Sequence, residues 1–186
     1  LSLSADQVHV TDTEHIVCIV PVMDKDRSLI RIIEVENPSS AIIFCNTKNV
    51  VHYVNVVLQR FGYDADELSA DRSQSDRERI LKRIRGGQLR FLVATDVAAR
   101  GIDVNNLTHV INYSLPHDTE SYVHRIGRTG RAGNEGTAIT FITPNEYKRL
   151  MDIQRFVKTN IKKSKVPMVE DIINAIATDA SASEVS

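Results

Sequence analysis

The sequence contains no tryptophan, only two cysteines, and no Gly-Lys pair at any of its eight glycines. Without Gly-Lys there can be no GxxxxGK[ST] loop, so the backbone cradle which that loop makes for phosphates is not in this chain. Cys18 and Cys45 lack CxxC spacing and a neighbouring histidine cluster, which argues for buried reduced thiols and against zinc. No metal site is expected. No apolar run approaches the ~20 residues that cross a bilayer, and the N-terminus lacks the basic and apolar regions of a signal peptide. An intracellular, cytoplasmic location without a membrane partner is therefore expected. The chain starts at Leu1, close before an already patterned stretch, which suggests a piece of a longer protein. Aromatic residues make up 5%, and Tyr53, Tyr63, Tyr113 and Tyr122 are scattered rather than grouped as a stacking platform. Any nucleic acid would then be met through phosphate and sugar.

The net charge of -1 conceals segregation. Residues 71–90 carry seven Lys and Arg against three Asp and Glu, and residues 146–165 seven against two, whereas residues 1–40 carry three against seven. Two basic tracts of this kind could meet phosphates, although a solvated helix face explains either one taken alone.

Four apolar runs, AIIFC (41–45), RFLVAT (90–95), THVINY (108–113) and TAITFI (137–142), read as strands. They do not alternate strictly, as suits a sheet covered on both faces. Between them lie helical patterns. In 48–62, Val50, Val54, Val57, Leu58 and Phe61 fall near one face, with Thr47 as N-cap and Gly62 at the exit. In 75–87 a Ser75-to-Glu78 capping box opens the helix, Ile80, Leu81 and Ile84 face inward, and Gly86 and Gly87 close it. Helices are also expected over 27–35 and from Pro144 to about Asn160. The alternating stretch 8–20 reads as an edge strand or linker. Repeated strand-helix-strand units point to a doubly wound α/β domain of five to seven mostly parallel strands with helices on both faces. Residues 1–20 enter it, 21–165 form it, and 166–186 make a tail in which 169–177 could add a helical turn or two.

Two segments carry chemistry. HRIGRTGRAG (124–133) repeats arginine every third residue at 125, 128 and 131, beside His124. Gly127 and Gly130 permit close backbone approach, and guanidinium forks suit phosphate oxygens. ATDVAARGIDV (94–104) follows a strand, so Thr95 and Asp96 fall at the ligand-binding edge, where a carboxylate can accept a ribose hydroxyl and a threonine can donate to a phosphate. An arginine ion-pair network and an ordinary capped strand-to-helix loop are the plainer explanations of the two segments. The other histidines show no paired metal spacing and no nucleophile motif.

In this order and roughly thirty residues apart, the two segments closely resemble motifs V and VI of DEAD-box RNA helicases. AIIFCNTK (41–48) resembles motif IV, and QSDR (74–77) the QxxR element, so the resemblance spans about 15–165. It implies the C-terminal RecA-like domain of an ATP-dependent RNA helicase. The phosphate loop and the DEAD tetrapeptide, which would hold magnesium, belong to the family's N-terminal domain. Carried over by position, Arg128 and Arg131 resemble the fingers that reach the γ-phosphate of ATP, and Asp103 the ribose contact. His124, Gln74 and Arg100 resemble residues that bridge to the partner domain and couple nucleotide to RNA, while Thr47, Arg77 and Thr95 resemble contacts to the RNA backbone. Arg125 is open between an internal salt bridge and a ligand contact. Ser69, Ala70 and Asp71 stand where many relatives have His-Gly-Asp. A methyl group at Ala70 would crowd a close phosphate, so Arg77 is the expected ligand there rather than Asp71. A RecQ-type DNA helicase and a RecA-like docking module remain the rival readings, separable by unwinding of RNA against DNA and by ATP hydrolysis.

Overall fold

The computed structural model describes residues 13–130, 135–157, 162–164 and 177–178. Among the described residues seven strands form one sheet in the order β3-β4-β2-β5-β6-β1-β7, and every pairing is parallel. They are β1 (Thr13–Ile19), β2 (Ala41–Phe44), β3 (Ala65–Leu68), β4 (Phe91–Ala94), β5 (His109–Asn112), β6 (Gly136–Ile142) and β7 (Lys162–Ser164). The helices are α1 (Lys25–Glu36), α2 (Lys48–Arg60), α3 (Gln74–Arg85), the single turn α4 (Asp96–Ala99), α5 (Thr119–Ile126) and α6 (Tyr147–Val157).

The four expected strands are present. β1 differs from expectation: it pairs with β6 on one side and β7 on the other, so it is an interior strand rather than an edge or a linker. Within the central strands successive residues serve opposite cores. Ile42, Phe44, Leu92, Ala94 and Val110 pack with Ile80 and Ile84 of α3, Ala98 of α4, Tyr122 and Ile126 of α5, and Leu150 of α6. Ala41, Ile43, Phe91, Val93 and Ile111 pack with Leu29 and Ile33 of α1 and Val51, Val54 and Leu58 of α2. The period of two that was hidden in continuous apolar runs is thus the division between two layers of helices. Val51 joins Val54 and Leu58 on the buried face of α2, Val50 packs against it partly buried, and Phe61 is exposed beyond the helix end. The expected turns at 169–177 fall, except for residue 177, outside the described residues.

This layering fixes where a ligand can sit. β2 and β4 are neighbours, yet β2 leads into α2 on one face and β4 into α4 on the other. Their connections therefore part at the carboxyl edge and leave a crevice there. Residues 45–47 and 95–96 lie at that opening. Among the described residues no helix is long and apolar enough to cross a membrane.

Candidate functional site

Arg125 is the hub of the crevice. It projects from α5 and is 1% exposed, and its guanidinium meets the Asp96 carboxylate through both Nε and Nη2 at 2.7 Å. Nη1 donates to Asn112 Oδ1 at 3.2 Å and to the Ser114 carbonyl at 2.9 Å, and Nη2 also donates to Asn46 Oδ1 at 2.9 Å. The cation lies 5.1 Å from the centre of the Phe44 ring. Residues that follow β2, β4 and β5 are thereby fastened to one side chain. The choice left open for Arg125 resolves to the internal salt bridge, in which both oxygens of Asp96 accept from its guanidinium.

Around this hub lies a cleft of about 300 Å³ lined by Phe44, Asp96, Ala99, Arg100, Gly101, Ser121, His124, Arg125 and Arg128. Asp118 caps α5, accepting from the Ser121 backbone N–H at 2.7 Å, and that hydrogen bond holds its carboxyl below the usual range. One turn of helix then presents Ser121, His124 and Arg125 to the cleft. On the opposite wall Gly101 turns the chain at φ +76°, and a Cβ there would meet no atom within 4 Å. The glycine is needed for its backbone angle rather than for space. The turn aims two carbonyls at Arg128, whose Nη1 donates to Ile102 O at 2.6 Å and Nη2 to Ala99 O at 3.1 Å. Arg128 is therefore half-buried and anchored. Arg100 and His124 are exposed in the same cleft. Arg131 lies outside the described residues.

A second concavity of about 270 Å³ opens on the other side of the crevice, lined by Lys48, Asn49, Val51, His52, Glu67, Leu68, Ser69, Asp71 and Thr95. The hydroxyls of Thr47 and Thr95 cap α2 and α4, accepting from Val50 N at 3.3 Å and Ala98 N at 3.2 Å. Each hydroxyl keeps its own proton to donate. Lys48 pairs with Asp71 at 3.1 Å. Arg77 donates to the Ala98 carbonyl at 3.4 Å, and its Nε is buried without a partner. Gln74 is exposed at the start of α3, with its amide 3.3 Å from Glu78.

Asp103 stands apart from both concavities. Its carboxylate accepts from Asn105 at 2.5 Å, its backbone carbonyl accepts from Arg85 Nε at 2.6 Å, and it lines a third depression. Much of the basic tract 71–90 is neutralised within the domain, Arg72 by Asp66, Arg79 by Asp76, and Arg83 by Asp64 and Asp66. Among the described residues no group of three or more His, Cys, Asp or Glu could hold a metal ion.

A family model described as "Helicase conserved C-terminal domain" matches residues 24–133, more than half of the chain. The chain belongs to that family. This helicase C-terminal domain is 45% identical over 159 residues to the ATP-dependent RNA helicase DbpA of Bacillus subtilis, covering 86% of this chain and 33% of that protein. The solved C-terminal domain of the DEAD-box protein Dbp5 matches with 28% identity and a TM-score of 0.82, over 91% of this chain and 99% of that one. Dbp5 of S. cerevisiae bound to RNA and ADP BeF3 matches with 28% identity and the same TM-score, 0.82, over 96% of this chain and 48% of that one. These likenesses place the domain among the C-terminal RecA-like domains of DEAD-box proteins. It spans about a third or less of the length of the curated relatives it matches.

Sequence reasoning missed three partners of Arg125 in the helicase domain's crevice, Asn46, Asn112 and Ser114. Asn46 stands in the quoted CNTK run, and its proximity to a strand end was the available signal. The Ser114 part is played by its backbone carbonyl, which no side-chain pattern reveals.

Proposed function

We propose that the chain is the C-terminal half of an ATP-dependent RNA helicase. It supplies one wall of an ATP site and part of an RNA-binding edge, and an N-terminal RecA-like domain completes both. The observation that carries this reading is the Asp96–Arg125 clamp, which sets a cationic cleft and a threonine-lined concavity side by side at the switch point of one sheet. A single closing partner would meet both.

The cleft is open and suits the phosphate end of a nucleotide presented from another domain. Arg128 and Arg131 are assigned as the groups that meet charge developing on the transferring phosphoryl group. Arg128 has five N–H donors, so those not used by its two carbonyl acceptors can meet phosphate oxygens, whose full negative charge attracts the guanidinium more strongly than a carbonyl dipole does. His124, Arg100 and Gln74 are assigned to the contact with the partner domain, and Asp103 to the ribose. Magnesium is assigned to the partner, which also carries the phosphate loop this chain lacks. On the RNA side Thr47, Thr95 and Arg77 donate to phosphate oxygens, so binding follows the backbone and reads little sequence. Closure holds the strand in a shape that a straight duplex cannot follow, and product release reopens the cleft.

The test compares the 186-residue chain with a two-domain protein that contains it. The chain alone is expected to hydrolyse ATP at background, and mixing in the other half to restore only weak turnover, for want of a linker's effective concentration. The chain is expected to bind single-stranded RNA weakly, with a log-log salt slope of about -0.7 per phosphate neutralised. Robust hydrolysis by the chain alone, or RNA affinity indifferent to salt, would overturn the reading.

A further inference from the structure

Three consecutive backbone carbonyls after β5 are each held by a cation. Tyr113 O accepts from Lys25 Nζ at 3.0 Å, Ser114 O from Arg125 Nη1 at 2.9 Å, and Leu115 O from Arg149 Nη2 at 3.3 Å. Asn46 Nδ2 also donates to Leu115 O at 3.0 Å. On the other side of this turn the backbone N–H groups of Tyr113 and Ser114 donate to Phe44 O at 3.0 and 3.4 Å. Lys25 lies at the start of α1 and Arg149 on α6, so elements from both faces of the sheet converge on three residues.

Lys25 also lies 5.5 Å from the centre of the Tyr113 ring. Arg149 is braced by Glu146 at 2.7 Å. Burial lowers the affinity of Lys25 for its proton, Glu146 raises it and Arg149 lowers it again. Gathering these cations is costly, and a turn that needed only to change direction would not call for them. Two features say what the turn does. Its middle carbonyl is a ligand of Arg125, and only two residues separate Leu115 from Asp118, the cap of the helix that carries Ser121, His124 and Arg125 into the cleft.

We propose that Lys25 and Arg149 are positioning residues for the Asp96–Arg125 clamp, setting α5 and its cleft-lining side chains through the turn 113–115. The assignment to catalysis rests on the ATP-site reading above, whereas the wiring itself does not. Neither residue lines the cleft. With Lys25 or Arg149 gone, the outer carbonyls of the turn lose their charged donors, and Ser114 O drifts from Arg125. A displacement on the order of 1 Å at a site of phosphoryl transfer lowers turnover by up to roughly 100-fold without removing any ligand.

Two measurements test this. In the 186-residue chain, the ¹⁵N–¹H signal of Arg125 Nε, which donates to Asp96, is followed in Lys25→Met and Arg149→Met, with Lys25→Arg and Arg149→Lys as conservative partners. The methionine variants are expected to shift that signal and speed its exchange with solvent, and the conservative ones to keep it. In a two-domain protein the methionine variants are expected to lower RNA-stimulated kcat roughly 10- to 100-fold, with KM for ATP within about twofold and substantial recovery in the conservative variants. An Arg125 signal unmoved in the methionine variants overturns the wiring whatever kcat does. A moved signal with unchanged kcat overturns the positioning role. A moved signal in a two-domain protein that never hydrolyses ATP leaves the wiring standing and sinks the ATP-site reading instead. Should a methionine variant fail to fold, the conservative variant decides: loss of kcat in proportion to loss of melting temperature would make the residue merely structural.

Discussion

Arg125 and Arg128 stand three residues apart in one motif, and their environments make opposite predictions. Arg125 is sealed among Asp96, Asn46, Asn112 and a carbonyl, so removing it leaves a carboxylate and several polar groups without their donor. Arg125→Met is expected to destabilise the chain by about 3–5 kcal/mol, a large part of the ~5–15 kcal/mol that holds a domain folded. Arg128→Ala frees two carbonyls at a solvent-open cleft and should cost about 1 kcal/mol or less. In a two-domain protein the ranking should invert, with Arg128→Ala lowering kcat roughly 10³- to 10⁵-fold while the melting point barely moves. Urea unfolding of both variants beside steady-state ATP hydrolysis checks the pair. Similar melting losses for the two would remove the distinction drawn between them.

At the scale of elements, β3 and α3 show how local chemistry sets boundaries. β3 reads ADEL, with Ala65 and Leu68 buried, and was invisible to apolar patterning because two of its four residues are acidic. It is the outermost strand beside β4, and Asp66 is held there by Arg72 at 2.9 Å and Arg83 at 3.5 Å. Charged side chains suit an edge that must not recruit another strand. α3 begins two residues earlier than its capping-box pattern suggests. Ser73, not Ser75, accepts from the Asp76 N–H at 3.2 Å, and Glu78 meets Gln74 instead. Ser73 has the extended backbone that a cap requires, whereas Ser75 is already inside the helix. Ser73→Ala should therefore cost about 1 kcal/mol and Ser75→Ala close to nothing, by chemical denaturation of the chain. Equal costs would return the cap to Ser75.

At the scale of the molecule, the two cysteines report on global integrity. Both are free and buried in the core that lies under α1 and α2. Burial pushes the Cys18 thiol up to about 11 and the Cys45 thiol up to about 12, from an ordinary 9.0. Raised folded-state values favour the neutral thiol, so this contribution to stability is complete below about pH 9 and is lost as pH rises through the folded values. Iodoacetamide at pH 8 is expected to leave both thiols untouched in the native chain and to label them in step with urea unfolding. Labelling of native protein at the rate of a free thiol would mean that this core opens locally.

The sequence by itself determined the strands that are buried on both faces, most of the helices, and the two motifs at a strand's carboxyl end and at the end of α5, because each of these is written in contiguous residues. Apolar runs, caps and glycines act over a few positions and need no partner elsewhere. Only the tertiary structure decided that β1 is interior, that Asp96 pairs with Arg125, and that the Ser114 carbonyl joins the clamp. Each of these depends on groups far apart in the chain, and on backbone atoms that every residue carries alike. A charge's use is fixed by whichever opposite charge or dipole the fold brings within about 3 Å, and that distance exists only once the sheet has put 46, 96, 114 and 125 at one edge.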